Sequence, residues 1–282
     1  MGRFADRVVL VTGASSGIGA ALAREFAREG ADLVLAARRV PRLEELAAEV
    51  RALGRRALVV ACDVTQDGAL ERAVGQAVEA FGRLDVAVAN AGFGVVGPFE
   101  RLALDDYRRQ FETNVFGVLR TAAAALPALR RTRGTLVIIG SVSGHVPTAG
   151  ASPYAMSKAA VRAFAGSLRA EVRGAGVGVV LVSPGFVDSE FRAVDNQGRH
   201  HAGARDPVPA WLVVPTPRAA RVIVKAVARR RREVVVTGHG KAIVWVARHM
   251  PWLLAAVLER GAYRSRPEPM TSLGPADRGT SP

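Results

Sequence analysis

Thr12-Gly13-Ala14-Ser15-Ser16-Gly17-Ile18-Gly19 follows the apolar run Val8–Thr12 and opens the helical pattern Ala20–Arg28. A glycine pattern set between a strand and a helix has the context that nucleotide binding requires. Its G-x-x-x-G-x-G spacing differs from the common G-x-G-x-x-G, but the physical demand is the same. Glycines permit a tight turn and close backbone approach, so a pyrophosphate can rest on the helix N-terminus, where free N–H groups and the helix dipole point. A plain glycine turn is the competing reading, and residues farther along decide between the two.

Outward from this stretch, short apolar runs alternate with longer helical patterns. Val8–Thr12, Leu33–Ala37, Ala57–Cys62, Val86–Ala89, Thr135–Ile139 and Val177–Val182 read as six buried strands, with Glu233–Thr237 as a seventh. Ala20–Arg28, Arg42–Leu53 and Leu70–Phe81 place apolar residues three and four apart, as helices covering a sheet must. This predicts an α/β fold with a doubly wound parallel sheet of about seven strands and helices on both faces. Ligands are then expected at the carboxyl ends of the strands. One domain over residues 1–240 follows, including an aperiodic substrate loop, 185–217, over that edge. Beyond it come an apolar helical extension, 241–263, and a Pro-, Ser-, Gly- and Arg-rich tail, 264–282, expected to be disordered.

The 282 residues carry a net charge of +14, distributed unevenly: residues 199–282 hold 15 basic and 5 acidic side chains, against 24 and 20 in residues 1–198. Only three of the basic residues are lysine, and no nucleic-acid-binding pattern is visible, so no nucleic-acid partner is expected. The single cysteine, Cys62, excludes an intrachain disulfide and a multi-cysteine metal site, and no metal is expected. With no signal-peptide anatomy before Val8, the expected location is the cytoplasm.

The end of the second strand decides which dinucleotide is held, because the adenosine ribose lies there. A carboxylate would accept from the 2′-hydroxyl of NAD(H), but here the strand ends Ala36-Ala37-Arg38-Arg39. Two guanidiniums fit a 2′-phosphate, so NADP(H) is preferred over NAD(H). The alternative is that Arg38 and Arg39 only begin a solvated helix.

Tyr154 and Lys158 stand four apart, which at helical spacing places them one turn apart on one face. A phenol is a poor base at neutral pH, and a neighbouring ammonium favours its phenolate. Taken with the glycine stretch, this pair resembles the short-chain dehydrogenase/reductase family, with its Rossmann-type fold. Further elements follow in the family's order. Asp63-Val64 matches its adenine contact, Asn90-Ala91-Gly92 its structural N-A-G, and Asn114 its helix asparagine. Ser141 matches its catalytic serine, with Ser143 as a rival two residues on. Pro184-Gly185 through Val187 to Ser189 matches its nicotinamide-holding segment, with Ser189 where threonine is usual.

The resemblance, over residues 5–240, implies a catalytic tetrad of Asn114, Ser141, Tyr154 and Lys158. Tyr154 exchanges a proton with the reacting oxygen and Ser141 orients that oxygen. Lys158 holds the nicotinamide ribose, and Asn114 positions a water that links the lysine to solvent. The implied cofactor contacts are Gly13, Ser15, Ser16, Gly17, Ile18, Gly19, Arg38, Arg39, Asp63, Val64, Asn90, Ala91, Gly92, Tyr154, Lys158, Pro184, Gly185, Val187 and Ser189. The expected activity is hydride transfer between NADP(H) and a carbonyl or alcohol carbon, by a homodimer or homotetramer. A dinucleotide-binding regulator without turnover is the alternative, against which the intact tetrad argues.

Lys241–Tyr263 concentrates Trp245, Val246, Trp252, Leu253 and Leu254, yet is too interrupted by charge and proline to span a bilayer. The favoured reading has it covering the substrate pocket or a subunit contact, which points to a hydrophobic substrate. Peripheral contact with a membrane surface through residues 229–263 is the alternative.

Overall fold

The computed structural model describes residues 2–193, 195–199, 201 and 208–261. Seven strands pair in parallel: β1 (Val8–Thr12), β2 (Asp32–Ala37), β3 (Ala57–Ala61), β4 (Val86–Ala89), β5 (Thr135–Ile139), β6 (Gly178–Ser183) and β7 (Glu233–Val235). Their spatial order is β3-β2-β1-β4-β5-β6-β7. The doubly wound α/β architecture expected from the alternating pattern is therefore present.

Because successive strand side chains point to opposite faces, each buried strand feeds two cores. Val9, Val11, Leu33 and Leu35 pack with α1 (Gly17–Arg28), α2 (Val40–Ala52) and α7 (Thr216–Ala228). Val8, Leu10, Val34 and Ala36 pack on the other face with α3 (Ala69–Phe81), α5 (Gly117–Thr132) and α6 (Ser152–Glu171). Burial on both faces explains why the strands read as unbroken apolar runs rather than alternating ones.

Three stretches differ from the sequence expectation. α4 (Leu104–Phe111) runs through one π-helical turn, Glu112–Phe116, into α5. That turn offsets the helix by one residue and buries Asn114 completely. The loop after β6 is pinned by a bridge between Val187 and Val214, and its last two residues already belong to α7, whose first turn accepts Pro217. The C-terminal extension forms two helices, α8 (Gly238–His249) and α9 (Pro251–Gly261), because Pro251 has no N–H to continue the first. α8 begins before residue 241, so the extension is continuous with the sheet domain. Its buried face meets Val142 and Val235, while Trp245 and Trp252 remain exposed. The tail 264–282, His200 and residues 202–207 lie outside the described residues.

Strand order reverses between β1 and β4, which opens a crevice at their carboxyl ends. The glycine stretch leaves β1 at that crevice, and Asn90-Ala91-Gly92 leaves β4 beside it.

Candidate active site

Ser141 follows β5 by two residues and caps a short 3-10 turn, its Oγ accepting from the Ser143 N–H at 3.1 Å. Ser143 thus supports the turn that presents Ser141. Gly144 in that turn lies against the backbone of Lys158, where a Cβ would come within 2.7 Å of the Lys158 carbonyl oxygen. Close packing of turn against helix therefore sets Ser141 on the side of Tyr154, near enough for its hydroxyl to favour the ionised phenol.

Desolvation pushes the Tyr154 phenol above its ordinary value, and the Ser141 hydroxyl offsets only part of this. Burial also pushes Lys158 down to about 8. Its Nζ donates to the Ile139 carbonyl at 2.9 Å and sits 5.7 Å from the centre of the Tyr154 ring. In this arrangement desolvation dominates and Tyr154 stays a protonated phenol.

Asn114 reaches the same site from the π turn. Its Oδ1 accepts from the Phe93 N–H at 3.1 Å, and its Nδ2 donates to the Phe93 carbonyl at 2.9 Å. A longer contact of 3.4 Å joins Nδ2 to Ser157 Oγ, whose own proton goes to the Tyr154 carbonyl at 2.7 Å. Gln110, fully buried one turn earlier, donates to the same Phe93 carbonyl at 2.9 Å and accepts from the Val95 N–H. Together the two amides hold the loop that follows Asn90-Ala91-Gly92.

On the cofactor side, Gly13 has φ +64°, a left-handed conformation that favours glycine, and at Gly19 a Cβ would meet the Gly13 carbonyl oxygen at 2.3 Å. The turn is closed from β4: Asn90 Nδ2 donates to the Thr12 carbonyl at 2.8 Å, and the Asn90 and Ala91 N–H groups donate to Thr12 Oγ1. Such a cradle fits a pyrophosphate at the start of α1. Ser15 and Ser16 both accept from Arg39, at 3.2 and 2.7 Å, which brings that guanidinium onto the glycine turn. Arg38 is 70% exposed, with Nη1 3.9 Å from Asp63 Oδ2. Asp63 Oδ1 accepts from Thr65, while Val64 is buried against Gly117.

Across the crevice, Pro184 accepts from the Val142 N–H at 2.9 Å. Gly185 leaves no space for a side chain beside Thr237 and His239, and Ser189 lies over Gly17.

Four contributors escaped the sequence reading. Glu190 joins the loop after β6 to the cofactor side through Arg39 and Arg42, each at 3.0 Å. Phe191 packs its ring 5.3 Å from that of Tyr154. Buried His145 bridges Ser183 and Glu233, each at 3.1 Å, and His239 accepts from the Phe186 N–H at 3.3 Å. All four act across long sequence separations, where local pattern carries no signal. Only the aromatic at 191, close to the Pro184–Ser189 segment, offered a hint.

Comparison with known proteins shows the family and the fold. A family model described as short chain dehydrogenase matches residues 7–200. An 11-beta-hydroxysteroid dehydrogenase A from Sesamum indicum is 38% identical over 252 residues, covering 86% of this chain and 71% of the relative. A serine 3-dehydrogenase from Agrobacterium fabrum is 37% identical over 195 residues, covering 69% and 77%. Among solved structures, an alcohol dehydrogenase from Thermococcus sibiricus complexed with 5-hydroxy-NADP superposes with TM-score 0.72 and 29% identity, covering 82% of this chain and 96% of its own. A short chain dehydrogenase/reductase from Burkholderia phymatum in complex with NAD gives TM-score 0.78 and 25% identity, covering 96% and 100%.

Proposed function

Because the chain belongs to the short chain dehydrogenase family, an oxidoreductase family that works with nicotinamide cofactors on alcohol and carbonyl groups, we propose that Tyr154 transfers the proton and Ser141 holds the reacting oxygen. The observation that carries this reading is the buried Lys158 ammonium, 5.7 Å from the Tyr154 ring and anchored on the strand that leads to Ser141.

A bound nicotinamide dinucleotide would supply or accept the hydride. In the reductive direction, Tyr154 gives its phenolic proton to the carbonyl oxygen as negative charge builds there. Ser141 donates a second hydrogen bond to the same oxygen, where it is worth most as the charge develops. In the oxidative direction the phenol oxygen takes the alcohol's proton. Lys158 stabilises the phenolate left behind and holds the nicotinamide ribose. Asn114 positions the loop at Phe93 and, by the family's pattern, a water that links Lys158 to solvent.

The remaining residues are assigned to the dinucleotide. Gly13, Ser15, Ser16, Gly17, Ile18 and Gly19 cradle the pyrophosphate, Asp63 and Val64 border the adenine, and Asn90, Ala91 and Gly92 line the ribose side. Pro184, Gly185, Val187 and Ser189 flank the nicotinamide. Arg38 and Arg39 favour NADP(H), since exposed Arg38 and turn-bound Arg39 both border the place of the 2′-phosphate. Phe191 against Tyr154 favours an apolar substrate face. The catalytic unit is residues 1–240 with its substrate loop, followed by the extension 241–263. Exposed Leu104 and Phe116 offer apolar surface for a homodimer or homotetramer.

A screen of apolar and polar carbonyls and alcohols with NADPH, NADH and their oxidised forms, followed by nicotinamide absorbance, tests the reading. Turnover that prefers NADPH and apolar compounds is expected. No turnover of any compound would overturn it.

A further inference from the structure

Far from the cofactor crevice, a recess of about 250 Å³ opens at the amino end of β6, between Gly176–Val179 and the chain entering β7. Four arginines line it: Arg169, Arg173, Arg230 and Arg232. Arg169 donates to the Val179 and Arg232 carbonyls, at 3.1 and 2.7 Å, and Arg230 to the carbonyls of Gly176 and Arg133. These bonds use only some of the five N–H donors that each guanidinium carries. Arg173 and Arg232 have no ion pair among the described residues. The acid beside the recess, Glu233, is already held by Arg248 at 2.6 Å and His145 at 3.1 Å. Burial first, and then the like charge of Arg232, push the Arg169 guanidinium below its ordinary value, with Glu233 opposing. Positive charge is thus concentrated here without a carboxylate of its own, an arrangement that favours an anion.

α8, the first of two helices with exposed apolar side chains, reaches the same corner by its last turn. Arg248, which holds Glu233, lies in the last turn of α8, so one ion pair ties that helix to the residue after Arg232. α8 exposes Ile243 and Trp245, and Trp245 stacks on His249 with ring centres 4.9 Å apart. α9 packs on α8 and exposes Trp252 (69%) and Leu253. Lys241, Arg248 and His249 are exposed among them, and Arg229 and Arg231 flank the recess in sequence. No described helix is long and apolar enough to cross a membrane.

We propose that the arginine recess and the tryptophan-bearing α8–α9 pair form one docking surface for an anionic phospholipid bilayer, with a headgroup phosphate in the recess and Trp245 and Trp252 at the lipid interface. Charge complementarity carries the assignment. A basic surface attracts anionic headgroups, and amphipathic tryptophan rings settle at headgroup depth, whereas a free phosphate would have no use for the aromatic face. The recess lies at the opposite end of β6 from Pro184.

The test is sedimentation of the full-length protein with phosphatidylcholine vesicles, with and without 30 mol% phosphatidylserine. Expected is binding to the anionic vesicles alone, weakened by 0.5 M NaCl. Arg173→Gln/Arg232→Gln is expected to lower partitioning roughly thirtyfold, equivalent to about 1 kcal/mol per basic residue near the surface. Trp245→Ser/Trp252→Ser is expected to lower it at least tenfold. Both variants are expected to retain the wild-type circular dichroism spectrum and turnover of a water-soluble carbonyl. Three results would overturn the proposal: no vesicle binding by the wild type, vesicle binding indifferent to both variants, or the arginine variant losing only affinity for inorganic phosphate or DNA. Dissociation of an oligomer by the tryptophan variant, with vesicle binding unchanged, would assign the face to a second copy of the chain and equally refute it.

Discussion

Lys158 gives a hydrogen bond to the backbone carbonyl of Ile139 at 2.9 Å, anchoring its ammonium to the last residue of β5. The helix that carries Tyr154 is thereby tied to the strand that leads to Ser141. Burial lowers the pKa of that ammonium to about 8.

That value sets a stability prediction. The folded pKa lies below the ordinary 10.5, so between about pH 8 and pH 10 the unfolded chain holds a proton that the folded chain has released. Stability therefore rises with pH across this window relative to Lys158→Met, and the cost of burying the charge is fully present below pH 8. Above the ordinary value of 10.5 the folded and unfolded chains have both released the proton, which closes the window. Urea midpoints of both proteins at pH 7, 8, 9 and 10 check this; parallel curves would refute the buried ammonium.

Tyr154→Phe is expected to fold and bind dinucleotide with near wild-type affinity while losing at least about a hundredfold in turnover, the usual range for removing a positioned acid. Ser141→Ala is expected to lose a comparable factor without altering cofactor affinity. Steady-state rates beside fluorescence titration of NADPH separate the two quantities. Retained turnover in the tyrosine variant would displace Tyr154 from the proton-transfer role.

Arg38→Asp trades a guanidinium for a group that repels a 2′-phosphate and accepts from a ribose hydroxyl. A charge-assisted hydrogen bond is worth about 1.5–3 kcal/mol, and the exposure of Arg38 places it at the lower end, or about tenfold in affinity. The ratio of kcat/KM for NADPH to that for NADH is the measurement. A wild type that already prefers NADH would refute the premise.

Glu190→Gln keeps the side-chain shape while releasing Arg39 and Arg42 from their shared carboxylate. Because the group is partly exposed, the gain is below about 1 kcal/mol: NADPH binds a few-fold more tightly and NADH is unaffected. Equal weakening of both cofactors would show that Glu190 only tethers the loop.

Much of the fold was legible because burial on both faces writes each strand as a short apolar run. β1, β4 and β5 have the limits the sequence indicates, and the glycine stretch lies between β1 and α1. The glycine turn, the Tyr154–Lys158 pair and the two arginines stood out by residue type and spacing, whereas Asn114 and Ser141 were singled out only through the resemblance to the family. Boundaries were less legible. β7 is only three residues long, and α4 with its π turn carries few buried apolar residues to mark a period.

The sequence by itself therefore determined the layered α/β plan, the strand-to-helix glycine turn and the chemical groups available for hydride and proton transfer, because periodicity and residue identity are local. Only the tertiary structure decided that Tyr154 stays protonated, that Lys158 anchors on Ile139, and that Glu190 reaches Arg39 across 151 positions of sequence. It also gathered arginines from α6 and from the approach to β7 around one recess. These outcomes depend on desolvation and on distances between remote segments, and both exist only once the chain has packed.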